Sequence, residues 1–226
     1  MSEKIGVRCL TEFDENKNHG KSRALILFTK APIAGKVKTR FVPALGEEGA
    51  LRLYQKLLAH QIALIKEYTG AISEMYVTSD PTHPEFENFP GNIFVQSGDD
   101  LGERMHHALE HSFSTYTSTV LIGSDCPGID YAYLDSAFTA LEEGFDAVLG
   151  PAEDGGYVLI GLRSSVAERS AELFRNVSWG TDTVLEQTRS LLQSNHLLWK
   201  ELPVMQDIDE PSDLEFLSSE FTFLQG

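Results

Sequence analysis

The stretch Val120-Leu121-Ile122-Gly123-Ser124-Asp125-Cys126-Pro127-Gly128 runs three apolar residues into a glycine, a carboxylate and a proline. An apolar run this short, bounded by Gly and Pro, reads as a buried strand that stops abruptly. In an open α/β sheet, ligands sit outside the carboxyl ends of the strands, which is where Asp125 falls. A carboxylate held there suits a hard cation such as Mg2+ or Mn2+. The plainer alternative is a turn or a helix cap, work that Asp does well. Cys126, beside that carboxylate, is a poor nucleophile, because a neighbouring negative charge raises a thiol pKa.

Working outward, Ala24-Leu25-Ile26-Leu27-Phe28-Thr29 reads as the first strand, apolar on both faces and therefore central and parallel. A loop from Lys30 to Gly46 precedes a long amphipathic helix over Glu47 to Tyr68, with Leu51, Tyr54, Leu57, Leu58, Ile62 and Ile65 on one stripe. Met75–Thr78 and Ile93–Gln96 read as further strands, and Asp99 or Asp100 caps a helix from Leu101 to about Tyr116. Beyond the central strand 119–123, a helix is expected around Tyr131–Glu142. Strands 146–150 and 157–162 flank the turn Pro151–Gly156. Helices are expected near 165–174 and 181–193, a strand near 197–202, and a last helix holding Leu214, Phe216 and Leu217.

This alternation predicts an α/β fold with three layers, α/β/α, around a mainly parallel mixed sheet. Residues 1–23 read as a flexible tail and 24–226 as a single catalytic domain, without repeats or a linker.

With 226 residues and 42% hydrophobic content, the chain is long enough for one full core. No apolar run approaches the ~20 residues that span a bilayer, and the polar start lacks a signal-type segment. A cytoplasmic location without membrane insertion is therefore the expectation. The two cysteines, Cys9 and Cys126, are too few for a disulfide framework or a cysteine metal cage. A net charge of -16 argues against nucleic acid as a partner. It leaves small phosphorylated ligands open, because exposed charges more than ~8 Å apart are largely screened.

Charge distribution is more telling than the total. Lys30, Lys36, Lys38 and Arg40 fall within eleven residues, where the average density predicts about one. No acidic residue occurs between Ala24 and Gly46, although the chain has 34. Gly35 lets backbone approach an anion, Arg40 offers paired donors, and the lysines supply mobile point charges. The loop is thus a candidate phosphate site, although it carries neither of the two common glycine-loop signatures. A solvated basic loop is the bland alternative.

A second carboxylate group is Asp207-Ile208-Asp209, whose acids project to one side if the segment is extended. Both could meet Asp125 at one sheet edge. Glu153-Asp154-Gly155-Gly156-Tyr157 carries turn chemistry and also suits a loop packed against a polar acceptor. His107 and His111 stand four apart without the glutamate spacing or further ligands of a zinc helix, so a solvated face is expected. Trp179, in Ser178-Trp179-Gly180-Thr181-Asp182, is a candidate lining residue for an acceptor pocket.

Five motifs in order resemble the DUF2064 family: Phe28-Thr29-Lys30-Ala31-Pro32 with Gly35-Lys36-Val37-Lys38-Thr39-Arg40, Gly98-Asp99-Asp100-Leu101-Gly102-Glu103-Arg104-Met105, Gly123-Ser124-Asp125-Cys126-Pro127, Gly150 through Tyr157, and Asp207 through Leu214. The chain departs from the pattern at Phe41, at Asp130 and in its N-terminal extension.

The resemblance implies a GT-A-type, nucleotide-diphospho-sugar-transferase-like fold, related to phospholactate and molybdenum-cofactor guanylyltransferases. It implies phosphate binding by Lys30, Gly35, Lys36, Lys38, Thr39 and Arg40, and Mg2+ or Mn2+ binding by Asp125 with Asp207 or Asp209. Glu153 or Asp154 would then orient or deprotonate the acceptor. Asp100, Arg104, Gly155, Gly156, Tyr157 and Trp179 are candidates to bind an acceptor whose chemistry the sequence does not reveal. The expected activity is transfer from a nucleotide donor, foremost a nucleotide-diphospho-sugar. The alternatives are nucleotidyl transfer, in which an NTP and a phosphorylated acceptor give a nucleotide-linked product and pyrophosphate, and a non-catalytic nucleotide-binding module.

Overall fold

The structure is a computed structural model and describes residues 23–216, with side chains as far as residue 214. The expected tail lies outside the described residues except for Arg23, which is instead the first residue of a strand. Cys9 and Leu217 also lie outside them.

In chain order the elements are β1 (Arg23–Thr29), α1 (Val42–Glu67), β2 (Ile72–Val77), β3 (Asn92–Val95), α2 (Leu101–Phe113), β4 (Ser118–Gly123), α3 (Tyr131–Glu142), β5 (Ala147–Pro151), β6 (Tyr157–Arg163), α4 (Ala167–Ser170), α5 (Val184–Ser194) and β7 (Trp199–Glu201). Among the described residues one sheet holds all seven strands in the order β3-β2-β1-β4-β6-β5-β7. Every pairing is parallel except those of β6 with β4 and β5. The loop between β5 and β6 is too short for the crossover that a parallel pair needs, so β6 must run back as a hairpin.

Period-two alternation in the central strands builds both cores. Leu25, Leu27, Val120 and Ile122 pack on one face with Tyr54, Leu58 and Ile62 of α1 and Leu134 and Phe138 of α3. Ile26 and Leu121 point the other way, to Met105 and Leu109 of α2 and Leu185 and Leu192 of α5. These are the three layers the alternation of elements predicts.

From β1 the chain steps outward to β2 and β3, then returns to place β4 on the other side of β1. This reversal is a topological switch point, where α/β sheets open a crevice at the strands' carboxyl ends.

Local boundaries differ from expectation where terminal chemistry intervenes. α1 begins at Val42 rather than Glu47, because Pro43 is tolerated in a first turn, and Gly46 (φ 70°, ψ 169°) breaks the helix just where the loop was expected to end. The helix expected over 165–174 is a broken series: a 3-10 turn at Ser164–Val166, the four-residue α4, and a second 3-10 turn at Ala171–Phe174. The last helix is a 3-10 segment, Pro211–Phe216.

Candidate functional site

Tyr54 of α1 fixes the start of the basic loop. Its hydroxyl donates to the Lys30 carbonyl (2.9 Å), accepts from the Lys30 amide (2.8 Å) and meets Thr29 Oγ1 (2.7 Å). Further along, Val37 and Phe41 are buried and anchor the loop in the apolar core. Between them Lys38 takes a left-handed conformation (φ 46°), which a non-glycine residue adopts only when its surroundings hold it there.

The Lys38 side chain is 4% exposed. Its ammonium donates to the Ile208 carbonyl (2.6 Å) and to Asp209 Oδ1 (2.8 Å), and it lies 2.8 Å from Asp125 Oδ1. An ammonium has three donors, and all three are spent here. Burial works to lower the Lys38 pKa, but Asp125 and Asp209 together outweigh it and hold the amine above its ordinary value.

The second acidic segment reaches the same place by backbone pairing. Met205 bridges Ala152, its carbonyl accepts the Glu153 amide (3.1 Å), and the Ile208 amide donates to the Asp125 carbonyl (2.9 Å). Ile208 is 1% exposed and packs with Phe41, Leu53 and Leu57, so Asp207 and Asp209 on either side of it face the opposite way. Asp213 Oδ2 accepts the Asp209 amide (2.8 Å) and steadies this turn.

The β5–β6 turn contributes Asp154. Carboxylate oxygens of Asp154, Asp207 and Asp209 lie within 4.8 Å of one another. Burial and the neighbouring Asp209 and Asp154 push Asp207 up to about 7. Asp209 goes the other way: despite burial, Lys38, with Arg40 and Lys30 behind it, holds its carboxyl below the usual range. An all-carboxylate trio is a hard oxygen donor set of the kind Mg2+ and Mn2+ take, and its mutual repulsion is what a divalent ion would relieve.

These groups line one cleft of about 500 Å3 at the switch point. Lys30, Lys38, Thr39 and Arg40 line it with Asp125, Asp154, Asp207 and Asp209. Arg104, Gly156, Tyr157 and Trp179 line it too. The Tyr157 hydroxyl and Trp179 Nε1 are buried without a hydrogen-bond partner among the described residues.

Several expected site residues fall elsewhere. Gly35 and Lys36 are exposed and do not line the cleft; Gly35 (φ 73°) instead makes the turn that packs beside the Glu47 carboxylate. Glu153 is exposed outside the cleft, so the turn presents Asp154 to it. Asp100 also lies outside the lining and caps α2, accepting from the Glu103 amide (2.8 Å), while the Glu103 carboxylate accepts from the Asp99 amide (2.8 Å). Gly155 (φ 86°) approaches protein rather than ligand: a Cβ there would stand 2.1 Å from the Asp182 carbonyl oxygen.

His107 and His111 do not converge. His107 Nδ1 contacts the Ser97 carbonyl and His111 Nδ1 the Tyr76 hydroxyl. Cys126 is buried and its thiol is pushed up to about 12, chiefly by burial, which fits the expectation that it is no nucleophile.

Sequence reasoning missed Tyr54 as a site residue, having placed it only on the apolar stripe of α1. It also missed Thr78 and Gln96, which line the cleft at the ends of β2 and β3. Their position as the last residues of predicted strands was the available signal.

The fold has solved relatives. A protein from Desulfovibrio desulfuricans provisionally described as a nucleotide-diphospho-sugar transferase is similar at 31% identity, with 89% of this chain and 90% of that one covered and a TM-score of 0.79. The 4-diphosphocytidyl-2C-methyl-D-erythritol synthase of Anaerococcus prevotii shares the fold at 10% identity (94% and 100% covered, TM-score 0.61). So does the molybdopterin-guanine dinucleotide biosynthesis protein A of Archaeoglobus fulgidus at 15% identity (85% and 95% covered, TM-score 0.53). No curated protein matches the chain by sequence. The model of the family described as "uncharacterized protein conserved in bacteria (DUF2064)" matches residues 69–181. With half the chain inside that model and a 31% identical relative along nearly its whole length, the chain belongs to the DUF2064 family.

Proposed function

We propose that the protein is a divalent-metal-dependent transferase that uses a nucleotide donor, foremost a nucleotide-diphospho-sugar. The observation that carries this reading is the meeting, in one cleft at the sheet's switch point, of three clustered carboxylates with Lys30 and Arg40. The 31% identical relative, described in the same terms, supports the donor class.

Asp154, Asp207 and Asp209 would hold Mg2+ or Mn2+. A divalent cation at such a trio supplies charge neutralisation for a leaving diphosphate. Lys30, Thr39 and Arg40 bind the phosphate oxygens, Arg40 with paired donors. Lys38 has a different task from the one its sequence position suggests: it holds Asp125 and Asp209 in place as a buried countercharge. Asp154, engaged with the other acids, is a cation ligand rather than an acceptor base. The Tyr157 and Trp179 side of the cleft takes the acceptor.

The test is a binding and turnover panel of NTPs and nucleotide-diphospho-sugars with and without Mn2+. Mn2+-dependent binding and transfer from a nucleotide-diphospho-sugar is expected. Preference for an NTP with pyrophosphate release would replace the reading by nucleotidyl transfer. Binding without metal dependence or turnover would make the protein a nucleotide-binding module.

A further inference from the structure

Gln96 sits at the carboxyl end of β3 and lines the cleft on the side away from the carboxylates. Its main chain is fixed by donation to the Val77 carbonyl (2.8 Å). Its side-chain Nε2 donates to two backbone carbonyls, Thr29 O (2.8 Å) and Tyr76 O (2.9 Å). Both amide hydrogens are thereby used, and the amide orientation is determined: a flipped amide would set Oε1 against two carbonyl oxygens. Among the described residues nothing donates to Oε1. The cleft thus contains a rigid acceptor that cannot turn into a donor, with the Thr78 hydroxyl at the neighbouring strand end.

The strand order β3-β2-β1-β4 puts the β3 backbone three strand spacings, roughly 14 Å, from β4, and the Gln96 side chain reaches back across β2 to the Thr29 carbonyl, so its amide borders the cleft at the end of β1. A nucleotide with its phosphates at Arg40 and the carboxylate trio would extend its base along the strand ends toward Gln96. A fixed carbonyl oxygen attracts an N–H and repels a carbonyl. We infer that Gln96 is a specificity-determining residue that selects nucleotides whose base carries an exocyclic amino group, by accepting a hydrogen bond from it. The inference rests on the nucleotide reading of the cleft and narrows its substrate class.

The test compares dissociation constants for CTP against UTP, GTP against ITP and ATP against ITP, with Mn2+ present, in the full chain and in Gln96→Met and Gln96→Glu. The amino-bearing member of at least one pair should bind about tenfold tighter, the worth of one neutral hydrogen bond. Gln96→Met should erase that ratio while leaving some binding through the phosphates. Gln96→Glu, which sets a carboxylate oxygen against the Thr29 and Tyr76 carbonyls and so frees the acceptor from its place, should shrink it as well. Equal affinities within all three pairs in the unmodified protein would overturn the inference and spare the nucleotide reading, and they need no variant to fold. A ratio that survives in Gln96→Met would overturn it as well. Failure of all five nucleotides to bind would overturn the inference, and the nucleotide reading then stands or falls with the nucleotide-diphospho-sugar panel.

Discussion

Replacing Lys38 by Met removes one buried positive charge and keeps a side chain of similar length. The ammonium lies 2.8 Å from each of two carboxylates and 2.6 Å from a carbonyl, and it is 4% exposed. Stripping one partner from a buried ion pair costs about 3–5 kcal/mol. Here Asp125 and Asp209 are each 39% exposed, so water screens part of the loss, and exposed pairs contribute only about 0–1 kcal/mol. An intermediate cost of about 2–3 kcal/mol follows for the metal-free protein. At about 2–4 °C per kcal/mol for a chain of this size, melting should fall by roughly 5–10 °C in EDTA. The sign of the second effect is the sharper test. Lys38 is a countercharge to the acids, so its removal leaves them more negative and Lys38→Met should bind Mn2+ more tightly than the unmodified protein. Thermal melts in EDTA and in saturating Mn2+, with Mn2+ titration calorimetry, read both. Melting within 1 °C of the unmodified protein in EDTA, or weaker Mn2+ binding by the variant, would refute the countercharge account.

Asp207, raised to about 7 when folded, keeps a proton that the unfolded chain has already lost above about pH 4. Its contribution to stability is therefore present at low pH and lost as pH rises toward 7. Because Mn2+ must displace that proton, the melting shift on adding Mn2+ should widen between pH 5.5 and 7.5 and stop widening in Asp207→Asn; a constant shift would count against it. Asp154→Asn should weaken Mn2+ binding at least tenfold by calorimetry, whereas Glu153→Gln, outside the cleft, should leave it unchanged. Gly155→Ala forces a Cβ to 2.1 Å from the Asp182 carbonyl at φ 86° and should cost more than about 2 kcal/mol, seen as a melting loss of several degrees. Gly180→Ala (φ 78°) meets nothing within 4 Å among the described residues and should cost only about 1 kcal/mol.

Several features were legible because they depend on near neighbours in sequence. The apolar runs 24–29 and 119–123 could only be buried strands, and they are the two that flank the switch point. The Asp-Ile-Asp spacing puts its acids on one face in any extended segment, and the buried Ile208 keeps that arrangement. Asp99 or Asp100 reads as the cap of the following helix, and Asp100 is that cap, accepting from the Glu103 amide.

Other features were not legible. The basic loop looked like four cations serving one phosphate site, yet it divides by direction: a left-handed residue and two buried neighbours send Lys38 inward, while Lys36 stays in solvent. Nothing local distinguishes those lysines, because their partners are 87 and 171 residues away, at Asp125 and Asp209. Gln96 looked like the last residue of a strand, and only the fold sets two carbonyls from other strands against its amide.

The sequence by itself determined the layers, the parallel strand centre and the presence of cations near the start and acids near the middle and end, since composition and periodicity act over a few residues. Only the tertiary structure decided which charges meet. That choice depends on strand order and chain reversal, and it turned Lys38 into a partner of the acids and brought Asp154, Asp207 and Asp209 within 4.8 Å of one another.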